Sequence, residues 1–278
     1  MSRPLERSDG ALRSFCESRL ALEIDFSELD PSAVPVDLLQ QARRIWQQRV
    51  QTEFRSIQIM TRFLADVLAA GEMLDVYALA VDFVQDEIKH VALCSGIVEA
   101  LGARPLLPEP AEIEEKPRFL RLRAAERALS IAIAMLGVNE TLSVGYIRDL
   151  QERCDDGVIR RVLDATLADE ETHQGLGWEY IGRSLDRFPI ASLPAWRRVA
   201  AEALDPHRIQ SDRTLAAIPV DQRHLDAFPE SNLAALGLLS EQRQALVFRN
   251  TLDDVLAPRL RKLGLLDARV PRGTSSPG

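Results

Sequence analysis

Asp86-Glu87-Ile88-Lys89-His90 and Asp169-Glu170-Glu171-Thr172-His173 are two copies of one pattern, Asp-Glu-x-x-His. Each follows a lone glutamate. Glu53 lies 34 positions before Glu87, and Glu140 lies 30 before Glu170. The chain holds 21 Glu and 4 His in 278 residues, so a given His has Glu three positions earlier with a probability of about 8%. Two such His, each with Asp ahead of the Glu, lie well outside chance. One Glu-x-x-His alone reads as an i,i+3 surface ion pair; the doubled pattern calls for another explanation.

Phase supplies it. Trp46, Val50, Glu53, Ile57, Met60 and Leu64 fall on one helical stripe. Ala80, Phe83, Val84, Glu87, His90, Val91 and Cys94 form a second, and Ile133, Leu136, Glu140, Val144 and Ile147 a third. Leu163, Thr166, Leu167, Glu170, His173 and Gln174 form the fourth. Each stripe turns a carboxylate toward an apolar face. Depth agrees with phase. Glu53 lies 18 residues before Gly71 and Glu87 16 after it, so in a hairpin both sit about 24–27 Å from the turn. Glu140 and Glu170 each lie 15 residues from Asp155.

Unpaired buried carboxylates are costly. No Lys or Arg is expected on these stripes near the Glu positions, which disfavours buried ion pairs. Four carboxylates and two imidazoles form a mixed O/N set suited to two iron ions, or one manganese and one iron. The candidate ligands are Glu53, Glu87, His90, Glu140, Glu170 and His173. Asp86 and Asp169 are expected to accept the outer N–H of the ligand imidazoles, a common partner for metal-bound His.

The remaining chain reads as all-α. Residues 1–35 form an N-terminal segment with a short helix around 11–22. Long helices are expected over 36–70, 72–101, 119–153 and from the turn after 157 to 187, since Gly71, Gly102 and Asp155-Asp156-Gly157 are stop or turn signals. Short turns join them into two antiparallel hairpins. Between the hairpins, 102–118 carries Pro105, Pro108, Pro110 and Pro117 and reads as a long crossover, the ferritin-like topology for a four-helix bundle over 36–187. Residues 188–278 are expected to form a C-terminal helical extension. It has a helix at 194–204, an irregular stretch at 205–236, a helix at 240–264 capped by Ser240, and a disordered tail ending Gly-Thr-Ser-Ser-Pro-Gly.

Composition narrows the class. Hydrophobic residues make up 46% and charged residues 27%, as in ordinary globular proteins. The net charge of −8 argues against nucleic-acid binding. Arg118, Arg121, Arg123 and Arg127 read as a solvated helix face. Three cysteines without Cys-x-x-Cys speak against a disulfide framework or a zinc site. No apolar run reaches the roughly 18 residues of a membrane span, and no signal-peptide core opens the chain, so a cytoplasmic protein is expected. The 31 Arg against 3 Lys point to a GC-rich, bacterial genome.

Over residues 36–187 the chain resembles the ferritin-like diiron-carboxylate superfamily. The resemblance implies that Glu87 and Glu170 bridge the two metals, with Glu53 and Glu140 terminal and one His on each. It also implies cross-bundle pairs, Asp86 with His173 and Asp169 with His90. Ribonucleotide reductase small subunits carry a radical Tyr where this chain has Cys94. Multicomponent monooxygenases resemble it at Cys94 but carry Thr at Val144. The 4-aminobenzoate N-oxygenase type has a seventh ligand, His, at Thr166. Rubrerythrins add a Cys-rich iron site, absent here, and bacterioferritins are far shorter. Aldehyde-deformylating oxygenases share the plain ligand set.

The function expected is a non-haem diiron oxygenase or oxidase that activates O2 to oxidise a small organic substrate. Iron storage with ferroxidase activity is the alternative, and a non-enzymatic binding bundle a third. Cys94, Val144 and Thr166 are candidate pocket residues, although Cys94 also fits plain core packing. Gly137, Ser143, Gly175 and Gly177 suit either space near the metals or close helix packing. Tyr180 reads as core, and His207 and His224 as satisfied or exposed. An apolar cavity of about 300–1,000 Å³ is expected to reach the metal site, from the side of the first and third helices or beneath the extension. No Gly-x-Gly-x-x-Gly fingerprint appears, so a separate ferredoxin or reductase is expected to supply electrons. A monomer or homodimer is expected.

Overall fold

In the computed structural model, which describes residues 2–20, 23–109 and 113–267, helices form nearly all of the architecture. A three-residue strand, β1 (Ser2–Pro4), precedes helix α1 (Gly10–Leu20), which buries none of its residues. Helix α2 (Val36–Ala70) matches the expected span. It ends where Gly71 takes the left-handed conformation, φ 68°, and returns its N–H to Leu68. Helix α3 (Leu74–Ala100) runs back along it.

The chain is not wholly helical. Strand β2 (Leu106–Pro108) pairs antiparallel with β1, Ser2 opposite Pro108. Prolines flank so short a ladder that no alternating pattern could reveal it. Next come α4 (Pro117–Leu120) and α5 (Ala124–Ile131). The helix expected over 119–153 therefore begins later, at Ala124, and runs on to Arg153 with a change of winding inside it. Residues Ala132–Asn139 follow as a π-helix, and α6 (Glu140–Arg153) resumes the α form. Asn139 supports the wider turn by donating Nδ2–H to Ala134 O, five residues back, at 2.9 Å. By length and composition the stretch Ala124–Arg153 is apolar enough to cross a membrane, but 72% of its most apolar window is buried inside the protein.

Asp156 caps α7 (Gly157–Leu185), accepting from Val158 N and Ile159 N at 2.9 Å. Short turns at 71–73 and 154–156 thus make α2/α3 and α6/α7 neighbouring pairs. Helix α8 (Leu193–Ala216) outruns the expected 194–204, passing through Pro206. A mid-helix proline costs about 3 kcal/mol. Burial of Ala200 and Leu204 before it, and of Ser211 and Leu215 after it, offsets that cost. Helices α9 (Ser231–Ala234), α10 (Glu241–Thr251) and α11 (Ala257–Lys262) complete the extension. A short π segment joins the last two, and Ser240 caps α10 as expected, accepting from Arg243 N at 3.1 Å. The expected tail at 273–278 lies outside the described residues.

The extension is built into the bundle. Helices α8 and α10 pack on the π segment and on α6. Trp46 donates Nε1–H to Leu236 O at 2.9 Å, and Arg49 donates to Gly237 O at 2.7 Å. A Cβ at Gly145 would stand 2.3 Å from Thr251 Oγ1, so α6 and α10 touch backbone to side chain there.

Two large apolar clusters result. One holds Met60, Phe63, Phe83, Leu136 and Ile181. The other holds Trp46, Val50, Leu93, Ile97, Ile159 and Leu163. The six candidate ligands lie between them along α2, α3, α6 and α7, so a polar layer divides the core.

Candidate metal centre

The four helices bring the six candidate residues into two groups. Glu53, His90 and Glu170 form one; Glu87, Glu140 and His173 form the other, and within each group the donor atoms lie within 4.8 Å of one another. All are buried except Glu53, whose side chain is 18% exposed. His90 Nδ1 stands 3.7 Å from Glu170 Oε1, 3.8 Å from Glu87 and 3.9 Å from Glu53. Glu170 turns its other oxygen to His173 Nδ1 at 3.6 Å, so this one carboxylate faces both imidazoles.

These gaps are too long for hydrogen bonds. They suit donors to a shared ion, since atoms each bonded to it at about 2.1 Å stand roughly 3–4 Å apart. The outer nitrogens are satisfied. His90 Nε2 lies 3.1 Å from Asp169 Oδ2, and His173 Nε2 lies 3.1 Å from Asp86 Oδ2, the cross-bundle pairs. The inner atoms are not: Glu87 Oε2, Glu170 Oε2, His90 Nδ1 and His173 Nδ1 are buried without a partner. Buried polar atoms of native proteins nearly always have one. Four orphans that converge from carboxylates and correctly oriented imidazoles are a donor set that fits metal ions.

Electrostatics agrees. Burial pushes Glu87 up to about 8, with Glu53 and Glu140 adding to the rise against the opposing influence of His90. Burial raises Glu170 to about 7, opposed by its hydrogen bond with Glu140. Glu140 is held well above its ordinary value by burial and then by the charge of Glu170. Burial works to lower His90, but its hydrogen bond with Asp169 and the nearby carboxylates of Glu87, Glu170 and Glu53 carry it well above its usual value. Without cations, this layer must hold protons.

Among the described residues, no Lys or Arg forms an ion pair with Glu53, Glu87, Glu140 or Glu170. Cations do come nearer than the stripes implied. Arg49, one turn before Glu53, covers the Trp46 ring at 4.3 Å. Lys89 donates to Asp169 Oδ2 at 2.7 Å. Its place in the motif was the only sequence signal for that contact. Of the arginine face, Arg118, Arg121 and Arg123 are exposed as expected, Arg118 pairing with Glu202 on α8, whereas Arg127 turns in to bond the buried Asp66 at 2.5 Å.

The metal-free protein should lose stability as pH rises. Glu87 and Glu170 have folded values above their ordinary 4.5, so between about 4.5 and 8 the fold holds more protons than the unfolded chain. His90 acts in the same direction. Metal binding needs deprotonated ligands and reverses the sign. Thermal melts in chelator should therefore fall by several degrees from pH 5 to pH 8, and the stabilisation given by added Fe(II) should grow over that range. A chelated melt that rises with pH would contradict the crowded carboxylate layer.

A cavity of about 1080 Å³ opens between α2, α5, the π segment, α8 and the crossover. Ile57, Ile59, Ile131, Met135, Val199 and Ala203 line it, with Arg62, Lys116, Arg198 and Glu202 among its charged residues. Ile57 lies one turn past Glu53, and Met135 five residues before Glu140. None of the six candidate ligands lines the cavity, and neither do Cys94, Val144 or Thr166. Cys94 packs among Val91, Ile97 and Val98, and burial raises its thiol. Val144 is buried, and Thr166 returns its hydroxyl to Val162 O. Ala134 and Met135, both in the π segment before Glu140, do line it.

Two of the small residues serve packing. A Cβ at Gly177 would stand 2.4 Å from Leu136 Cβ, and one at Gly137 2.9 Å from Ile181 Cδ1. One at Gly175 would meet nothing within 4 Å. Tyr180 is core, its ring edge-on to Phe63 and its hydroxyl 3.1 Å from Glu72. His207 stacks on Phe248 with Nε2 3.3 Å from Asn139 Oδ1, and His224 is exposed.

No family model, curated protein or solved structure matches this chain.

Proposed function

We propose that the chain is a ferritin-like diiron bundle acting as an O2-dependent oxidoreductase on a small, largely apolar organic molecule. The carrying observation is the inward set of four partnerless atoms on Glu87, His90, Glu170 and His173, with Asp86 and Asp169 fixing the outer nitrogens. Glu53, His90 and Glu170 would hold one ion, and Glu87, Glu140 and His173 the other, iron in both or manganese in one. Two such ions, when bound, supply the redox change and O2 binding that these side chains cannot.

The protein's part is positional. Asp86 and Asp169 accept the Nε2–H of His173 and His90, which leaves Nδ1 of each ring as the donor. The apolar clusters on both sides keep water from the polar layer. Glu53 is the one partly exposed member. The cavity supports an organic substrate over iron alone, since an iron path needs no such volume. Its size is near the upper end of small-molecule sites, roughly 300–1,000 Å³, and Ile57 and Met135, each within about one turn of a candidate ligand in sequence, line it. Electrons would come from a separate ferredoxin or reductase. The protein would act in the cytoplasm as a monomer or homodimer.

Elemental analysis after anaerobic Fe(II) loading, paired with light scattering and O2 uptake, tests this. About two ions per chain, a small oligomer, and O2 uptake accelerated by apolar candidates are expected. Fewer than one ion per chain would end the dinuclear reading. A cage-sized particle that grows mineral would replace the oxygenase with a ferroxidase.

A further inference from the structure

The two halves of the centre are related by the repeated motif, yet their surroundings differ. Asp169 Oδ2 receives two donors, His90 Nε2 at 3.1 Å and Lys89 Nζ at 2.7 Å. Among the described residues Asp86 has one, His173 Nε2 at 3.1 Å. In the second motif copy the place of Lys89 is taken by Thr172, which returns its hydroxyl to Ala168 O at 3.1 Å. Lys89 thus sets a fixed positive charge on Asp169 beside the His90 half, where it opposes an incoming cation, and among the described residues no Lys or Arg is paired with Asp86 in the other half. Arg49 places a second cation on the Glu53 side, one turn away on α2. Burial differs in the same sense: Glu87, Glu140 and His173 are all buried, while Glu53 is 18% exposed.

Resting on the dinuclear reading above, we infer that Lys89 makes the halves inequivalent, so that Glu87, Glu140 and His173 take the first metal ion and Glu53, His90 and Glu170 the second. Lys89 is a positioning residue, acting from Asp169 on the His90 half. The more open half fills last and exchanges its ion more readily. A chain supplied with two different metals would sort them by this difference.

Co(II) is a suitable probe. Competition against a chelator should give the wild-type protein two dissociation constants, separated by about the 10–100-fold effect of an altered outer partner of a ligand His. Lys89→Met should tighten the weaker constant at least several-fold and leave the stronger one unchanged. Lys89→Arg, which keeps the cation, should restore the wild-type gap. Crystals grown with one equivalent of Co(II) should show anomalous scattering at Glu87, Glu140 and His173. Scattering at the other half or shared evenly, or a Lys89→Met variant that moves both constants alike or neither, would overturn the inference while leaving a two-ion centre intact. A wild-type protein that binds no Co(II) or Fe(II) would instead overturn the dinuclear reading, and this inference with it.

Discussion

Replacing Glu170 by Gln is expected to cut bound iron from about two ions per chain to one or none, and to raise the melting temperature of the metal-free protein. The two effects share one cause. Glu170 faces both imidazoles and lies in both groups' reach, so its loss weakens both positions. In the metal-free fold the same carboxylate is a liability. Burial pushes it up to about 7 from 4.5, and at about 1.4 kcal/mol per pH unit this amounts to roughly 3 kcal/mol against the ionised form above pH 7. Glutamine removes that charge and should recover about 1–3 kcal/mol, less what its amide loses for want of partners. At about 2–4 °C per kcal/mol for large domains, the gain is readable by calorimetry. His90→Ala and His173→Ala should lose metal as fully. Asp86→Ala and Asp169→Ala should lose only about 10–100-fold in affinity. The opposite result, a Glu170→Gln protein destabilised by about 3–5 kcal/mol, is the signature of a broken structural ion pair. It would remove the case for a metal centre.

The second large effect lies away from the centre. Arg243→Ala should destabilise the protein by about 3–5 kcal/mol, the usual result of stripping one partner from a buried ion pair. Arg243 is 6% exposed and Asp149 9%. The guanidinium donates to Asp149 at 2.6 and 2.8 Å and to the carbonyls of Leu225 and Phe228 at 2.9 and 2.7 Å. Arg153 also reaches Asp149, at 2.7 Å. One side chain of α10 therefore ties the extension to α6 and to the loop before α9. Urea unfolding of Arg243→Ala, Asp149→Ala and the double variant should give a double-variant loss well below the sum of the singles. Additive losses would mean that the two residues act independently. Iron content should stay near wild type in the Arg243 variant, since none of its contacts is a candidate ligand.

The six candidate ligands were legible because three independent regularities met on them: spacing in the motif, phase on the helix and depth from the turn. Each depends only on the rise and pitch of a helix, so the linear sequence carries it. The ends of α2 and the cap of α10 were legible for the same local reason, a glycine at Gly71 and a serine at Ser240. The π segment was not, because Ala132–Val138 is apolar throughout and satisfies α and π periods alike. Its choice follows from Asn139 bonding five residues back and from Gly137 and Gly177 letting α7 come close. Met135, inside that segment, lines the cavity, whereas Cys94, Val144 and Thr166 do not.

What the sequence determined by itself was the chemistry of the polar layer and the lengths of the helices that carry it. Tertiary structure decided what depends on distant partners: Lys89 on Asp169, Arg243 on Asp149, β1 beside β2, and a cavity between α2 and α8. These contacts join residues that no helical period relates. Their geometry is fixed only when the apolar faces are buried and each remaining polar group takes whichever partner the packing leaves within reach.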